Sequence, residues 1–216
     1  SEESLLFTAD SIPTNRVLYI LTYRPGYKQP FGERSFHTRI ALPTLSAEDS
    51  VQMTHAVLGA ATIPDELEAL IVRKAEGNPF FVEEVVKSLH EVGAVQRDGD
   101  RYTLTTRLEE ILIPDTIQDV IMARIDRLAD APKKTLQLAS VIGREFTRRL
   151  LERIADIRGR TEDFLRELKA LELIYEKALF PELAYMFKHA LTHDVAYSSL
   201  LVQRRKELHR AIALAI

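Results

Sequence analysis

The stretch "AEGNPFFVEEVV", Ala75 to Val86, constrains this chain more than any other. It reads as helix on both sides, yet Gly77, Asn78 and Pro79 interrupt it. Each of the three suits a different place at a break. Glycine takes the left-handed conformation past a helix end at little steric cost. Asparagine caps the next helix with its side-chain oxygen. Proline fits the first helical position, where an N–H has no intrahelical partner in any case. The tripeptide therefore predicts a minimal joint between two helices that meet at a sharp, fixed angle.

Helical periodicity surrounds this joint. Ser46 is a good N-cap with Asp49 three residues on, and Gly59 supplies a stop. Thr62 and Pro64 open a helix whose apolar positions Leu67, Leu70 and Ile71 share one face, and it runs to Gly77. The next helix carries Phe81, Val82, Val85 and Leu89 and ends at Gly93. "VQRDGDRYTL" then reads as a hairpin turning at Asp98-Gly99. Pro114 opens a helix with Ile117, Val120, Ile121, Ile125 and Leu128 on one stripe, and Pro132 breaks it. Three helices are expected to follow, over 133–142, 146–157 and 161–171. The apolar pieces "LELIYEK" and "LAYMFKH" then pair as a wing, and helix runs from about His189 to Ile216. Three helices and a small hairpin make a winged-helix arrangement.

The first forty residues have a different grain. "RVLYILTYRPG" holds a short apolar run ending in a Pro-Gly turn, which reads as a strand buried on both faces, as in a parallel sheet. "FHTRIALPTL" offers a second. Two strands do not make a stable sheet, so their neighbours are expected outside this sequence.

Composition narrows the functional classes. With 46% apolar and 28% charged residues among 216, the chain can build a proper core. The absence of cysteine removes disulfides, thiolate catalysis and Cys-based zinc sites, and fits a reducing, cytoplasmic setting. A net charge of −3 gives no global pull on nucleic acid or an anionic membrane. No apolar run approaches the ~20 residues of a membrane span. Residue 1 is Ser followed by two glutamates, so no basic leader is visible, and the start without Met reads as part of a longer polypeptide.

Complete catalytic signatures are missing. No glycine is followed by lysine, which excludes G-x-x-x-x-G-K-[ST], and G-x-G-x-x-G, G-x-S-x-G and H-E-x-x-H are absent too. "HALTH" sets His189 and His193 four apart beside Asp194, without a general-base glutamate or a third ligand, so no metal site is expected. The winged-helix reading invites DNA binding, and the charge of its third helix decides against it. Arg160, Arg166 and Lys169 stand there against Glu162, Asp163, Glu167 and Glu172. The basic cluster Arg144, Arg148, Arg149 and Arg153 lies on the preceding helix and reads as a solvated or partner-facing surface. Arg24 falls at the end of the expected strand, where open parallel sheets bind ligands.

Five motifs in register, "LTYRPGY", "AEGNPFFVEEVV", "IPDTIQDVIMARIDRL", "ASVIGREF" and "FKHALTHDVAYSSLL", resemble the STAND branch of the AAA-type P-loop ATPases. The likeness is to the module of bacterial adenylate/guanylate cyclases and large transcriptional regulators. The resemblance implies that Arg24 is the sensor-1 arginine and that Gly77-Asn78-Pro79 is the Gly-x-Pro motif of the helical lid, its proline packing on adenine. It also implies that His189 contacts the β-phosphate of ADP. The cofactor implied is ATP or ADP, with Mg in the intact parent. The Walker A loop and Walker B carboxylates would precede residue 1, so the chain alone is expected to lack ATPase activity.

The fold expected is mostly α. Residues 1–45 would be a remnant of the parallel α/β ATPase core, 46–112 a helical lid, and 113–216 a winged-helix domain with C-terminal helices. The function implied is a nucleotide-dependent switch on an attached output, a nucleotide cyclase or transcriptional regulator. Its partners would be the upstream core and output domain of the same polypeptide and a helical-repeat domain downstream, with no direct nucleic acid contact and no membrane. The rival reading is a helical or winged-helix protein-interaction adaptor that binds no nucleotide. Convergence of Arg24, Pro79 and His189 on one cleft would separate the two.

Overall fold

The computed structural model describes all residues except 1, 25, 33–34, 60–61, 108–109, 155–159 and 179–181. The chain is mostly helical and divides into two compact units, Ser1–Pro43 and Thr44–Ile216.

The first unit holds α1 (Glu2–Ser11) and one 3-10 turn, Ile12–Thr14. Tyr27 donates a hydrogen bond to Glu2 Oε1 at 2.5 Å, and the rings of Tyr23 and Tyr27 lie 5.6 Å apart. The strand expected over Val17–Thr22 does not form, nor does the one over Phe36–Leu45. A strand exists only through its ladder, and among the described residues no strand pairs with either segment. Leu18 and Leu42 are accordingly 85% and 90% exposed. The parallel sheet is thus absent among the described residues, where the strand ladders are all antiparallel.

The second unit begins with α2 (Ala47–Leu58), where Ser46 and Asp49 form a full capping box. Gly59, at φ +63°, ends it. Next come α3 (Asp65–Ala75) and α4 (Pro79–Glu91), then the hairpin β1 (Val95–Asp98) and β2 (Arg101–Leu104). Asp98 pairs with Arg101, so the turn residues are Gly99-Asp100, one place later than expected. Leu67, Ile71, Val82, Val85, Leu89 and Tyr102 build one core here.

A second core follows from α5 (Ile117–Arg127), α6 (Asp130–Ile142), β3 (Glu145–Thr147), α7 (Arg148–Ile154), α8 (Thr161–Ala170), β4 (Ile174–Ala178) and β5 (Ala184–Phe187). Its sheet has the order β3-β5-β4. Then come α9 (Ala190–Ser198) and α10 (Val202–Ala215), so the expected terminal helix is broken after Ser198. Helix α5 serves both cores, with Val120 in the first and Ile121 and Ile125 in the second.

Three boundaries differ from expectation. Thr116, not Pro114, caps α5, its hydroxyl accepting from Asp119 N–H at 3.1 Å. Pro132 sits inside the first turn of α6, where the missing N–H costs nothing. Phe146 belongs to β3, because its ring is needed beside Tyr185 and Phe187 in the second core, at 5.8 and 5.9 Å.

Candidate functional site

The Gly77-Asn78-Pro79 joint forms as its residue types dictate, with one addition. Glu76 already ends α3 in the left-handed region at φ +48°, and Gly77 follows at φ +73°. Two left-handed residues in succession reverse the chain within the joint. Asn78 Oδ1 accepts from the N–H groups of Phe80 and Phe81 at 3.1 and 3.4 Å, and Pro79 takes the first helical position. Gly77 also has no room for a side chain. A Cβ there would lie 2.4 Å from the carbonyl oxygen of Leu45, whose N–H donates to Gly77 O at 2.8 Å. The approach to α2 thus clamps the joint from outside.

His189, 110 positions further on, comes to this joint. It is the residue before α9, its side chain makes no cap, and its ring centroid lies 4.0 Å from that of Phe80. Nε2 is buried without a hydrogen-bond partner, 3.9 Å from Glu83 Oε2. Burial pushes the imidazole below its ordinary pKa, with Glu83 and Glu84 partly offsetting this. Gly77 is buried, whereas Asn78 and Pro79 are exposed on the same turn.

Beneath His189 lies a charged assembly that sequence reasoning missed. Lys87 and Lys188 each donate to both Glu83 and Glu172, at 2.6 and 2.5 Å for Lys87 and at 2.8 and 2.6 Å for Lys188. Hydrogen bonds from Lys188 and Lys87 hold the Glu172 carboxyl at about 2. Burial pushes Glu83 up, but the same two lysines outweigh it and hold this carboxyl below its ordinary range. Lys188 is raised, because bonds to Glu172 and Glu83 overcome its burial. Glu172 occupies a left-handed turn at φ +54°, an uncommon conformation for a residue with a side chain.

The assembly continues into the interior. Arg124 of α5 donates to Glu84 at 2.5 Å, to Glu91 through both Nε and Nη2, and to the Leu171 carbonyl at 2.8 Å. Burial opposes its charge, but Glu91 and Glu84 raise its pKa further. One signal of this was legible. In α5 the positions 117, 120, 121, 124 and 125 form a single helical stripe, and Arg124 is its one charged member. An arginine in a buried stripe needs carboxylate partners. Glu84 and Glu91, one α4 heptad apart, supply them.

Of the residues the sequence singled out, Gly77, Asn78, Pro79 and His189 belong to the second unit, and Phe80 and His189 bring them to one place. Arg24 belongs to the first unit, where it is exposed on irregular backbone and its carbonyl accepts from Tyr27 N–H at 3.2 Å. His193 does not share the role of His189. Its ring bonds Asp194 Oδ1 and the Ser140 carbonyl, each at 2.9 Å. No cluster of His, Asp and Glu suited to a metal occurs among the described residues, nor any helix long and apolar enough to cross a membrane.

Two comparisons bear on this geometry. A family described as "Domain of unknown function (DUF8739)" matches residues 46–101, which hold α2, α3, α4 and β1 and end at the first residue of β2. The chain is also similar to "Uncharacterized protein R02095" of Rhizobium meliloti (strain 1021), at 26% identity over 211 residues. That alignment covers 93% of this chain and 19% of the relative, so the chain spans about a fifth of the relative's length.

Proposed function

We propose that the chain is the C-terminal part of a STAND-type ATP/ADP-binding regulatory module, a nucleotide-dependent switch acting on an attached output such as a nucleotide cyclase. One observation carries the reading. His189, with a buried Nε2 that has no hydrogen-bond partner, packs its ring against that of Phe80, directly after the Gly77-Asn78-Pro79 joint. These are the two segments of the second unit that the resemblance assigns to the nucleotide. An imidazole nitrogen without a partner fits a phosphate oxygen, and the exposed Pro79 fits an apolar base. The connectivity from α6 to β5, helix, strand, two helices and two strands, is that of a winged helix and supports the same reading. The Lys87-Glu83-Lys188-Glu172 square ties α4 to the β5–α9 link, so it joins the two parts that such a switch must move.

The test is ADP release from the full-length polypeptide. A charge-assisted hydrogen bond is worth roughly 1.5–3 kcal/mol, so His189→Ala should speed release by about 10- to 150-fold. His193→Ala should change it little, since that ring is engaged elsewhere. Unaltered release with a lowered melting temperature would make His189 a packing residue only. A full-length polypeptide that binds neither ATP nor ADP would sink the reading and leave the adaptor alternative.

A further inference from the structure

Helix α10 turns Arg205, Leu208 and Ile212 inward and leaves its other face open. On that open face Val202, Lys206, Arg210 and Leu214 stand four apart, along the ridge by which helices commonly pack. All four are exposed, Val202 at 61% and Leu214 at 80%. Lys206 and Arg210 bond no carboxylate among the described residues. Helix α7 packs beside α10 and presents Arg149 and Arg153, also four apart, exposed and without carboxylate partners among the described residues. The carboxylates on these two helices are Glu152 and Glu207, and both are taken, by Arg148 and Arg204. The result is a cationic face on a chain whose net charge is −3.

We propose that this face of α10, with α7 alongside, docks an acidic amphipathic helix of a partner protein. Charge complementarity names the sign of the partner, and the apolar ends of the ridge name its class. A nucleic acid backbone takes its contacts from polar and charged groups and has no use for Val202 and Leu214. Protein interfaces combine apolar anchors with arginine. The overall negative charge also gives a long polyanion no long-range attraction, whereas a short helix senses the local ridge. At 1.5 Å per residue the apolar ends stand about 18 Å apart, with the two cations about 6 Å apart between them. The complement is a helix of at least four turns with carboxylates at i and i+4 between apolar residues.

The test uses this chain and a fluorescent Ala/Gln-based helical peptide carrying Leu, Glu, Glu and Leu four apart, read by anisotropy. Binding should weaken about tenfold or more in Lys206→Glu/Arg210→Glu. A peptide with lysines in place of its glutamates should bind that variant better than it binds the parent chain. Lys206→Gln/Arg210→Gln, with circular dichroism of every variant, replaces the double reversal if the latter misfolds. Three results would each overturn the proposal: no binding of the glutamate peptide at millimolar concentration, binding indifferent to both double variants, or preference for a DNA duplex over the peptide.

Discussion

Arg124 and Glu84 meet across the boundary between the two cores of the second unit, Nη1 to Oε2 at 2.5 Å, each side chain 2% exposed. Glu91 and the Leu171 carbonyl take the remaining guanidinium donors that the structure pairs. A charge pair so deeply buried holds position more than it stabilises, because desolvation consumes much of the attraction. Breaking one side is another matter. Arg124→Met should destabilise by about 3–5 kcal/mol, since it strands Glu84 in the interior. Adding Glu84→Leu should recover much of that loss. Urea unfolding of the three proteins checks this, and a double variant no better than the single would refute it.

The Gly77 position makes a second prediction, with Gly59 as its control. Both have positive φ, so a side chain at either carries a strain of about 1–2 kcal/mol. A Cβ at Gly59 would meet nothing within 4 Å, whereas one at Gly77 would meet the Leu45 carbonyl oxygen at 2.4 Å. Gly59→Ala should therefore cost only the backbone strain, and Gly77→Ala clearly more. Equal losses in denaturant unfolding would mean that the clamp by Leu45 does not bear on stability.

Glu172 sets an acid limit. Its folded pKa, about 2, lies below the ordinary 4.5, so its contribution is complete above 4.5 and disappears as pH falls from there towards 2. The side chain is half exposed, so solvent screens the effect. Melting temperatures of the wild type and Glu172→Gln should differ at neutral pH and converge near pH 2. The gap should also narrow in about 1 M salt, where the screening length is about 3 Å.

His189 acts in a higher window. Burial lowers its pKa from 6.5, so the folded state binds fewer protons than the unfolded one just below that value. Its contribution is present above 6.5 and is lost as pH falls through the folded pKa. Glu83 and Glu84 face this ring's surroundings and moderate the lowering, whereas Lys188 and Lys87 add to it. His189→Phe keeps an aromatic ring against Phe80 and removes the titration. Stability of this variant should be flatter than that of the wild type between pH 7 and 5, measured by thermal melts at closely spaced pH.

Local chemistry was legible wherever a residue acts on its immediate neighbours. The capping box of Ser46 and Asp49 and the Asn78 cap follow from side chains reaching two or three residues along the chain. Pro79 at the first helical position and the left-handed Gly59 and Gly77 follow from the backbone preferences of proline and glycine. The apolar stripes of α3, α4 and α5 follow from the period of the helix, and so does the antiparallel pairing of β4 with β5 from two short apolar runs close in sequence. What the sequence could not decide by itself was anything that depends on a distant partner. Val17–Leu21 has the composition of a strand, but strands are made by pairing, and no neighbour among the described residues pairs with it. Phe146 has the pattern of a helix, but Tyr185 and Phe187 draw it into a ladder. Glu84, Glu172 and Lys188 look like ordinary surface charges one at a time, and the apolar stripe that betrays Arg124 does not name its partners. Only the packing of α4 against α5 and the second core puts them within reach of one another, because Coulomb attraction strong enough to keep charges buried acts over a few ångströms of space and takes no account of separation along the chain.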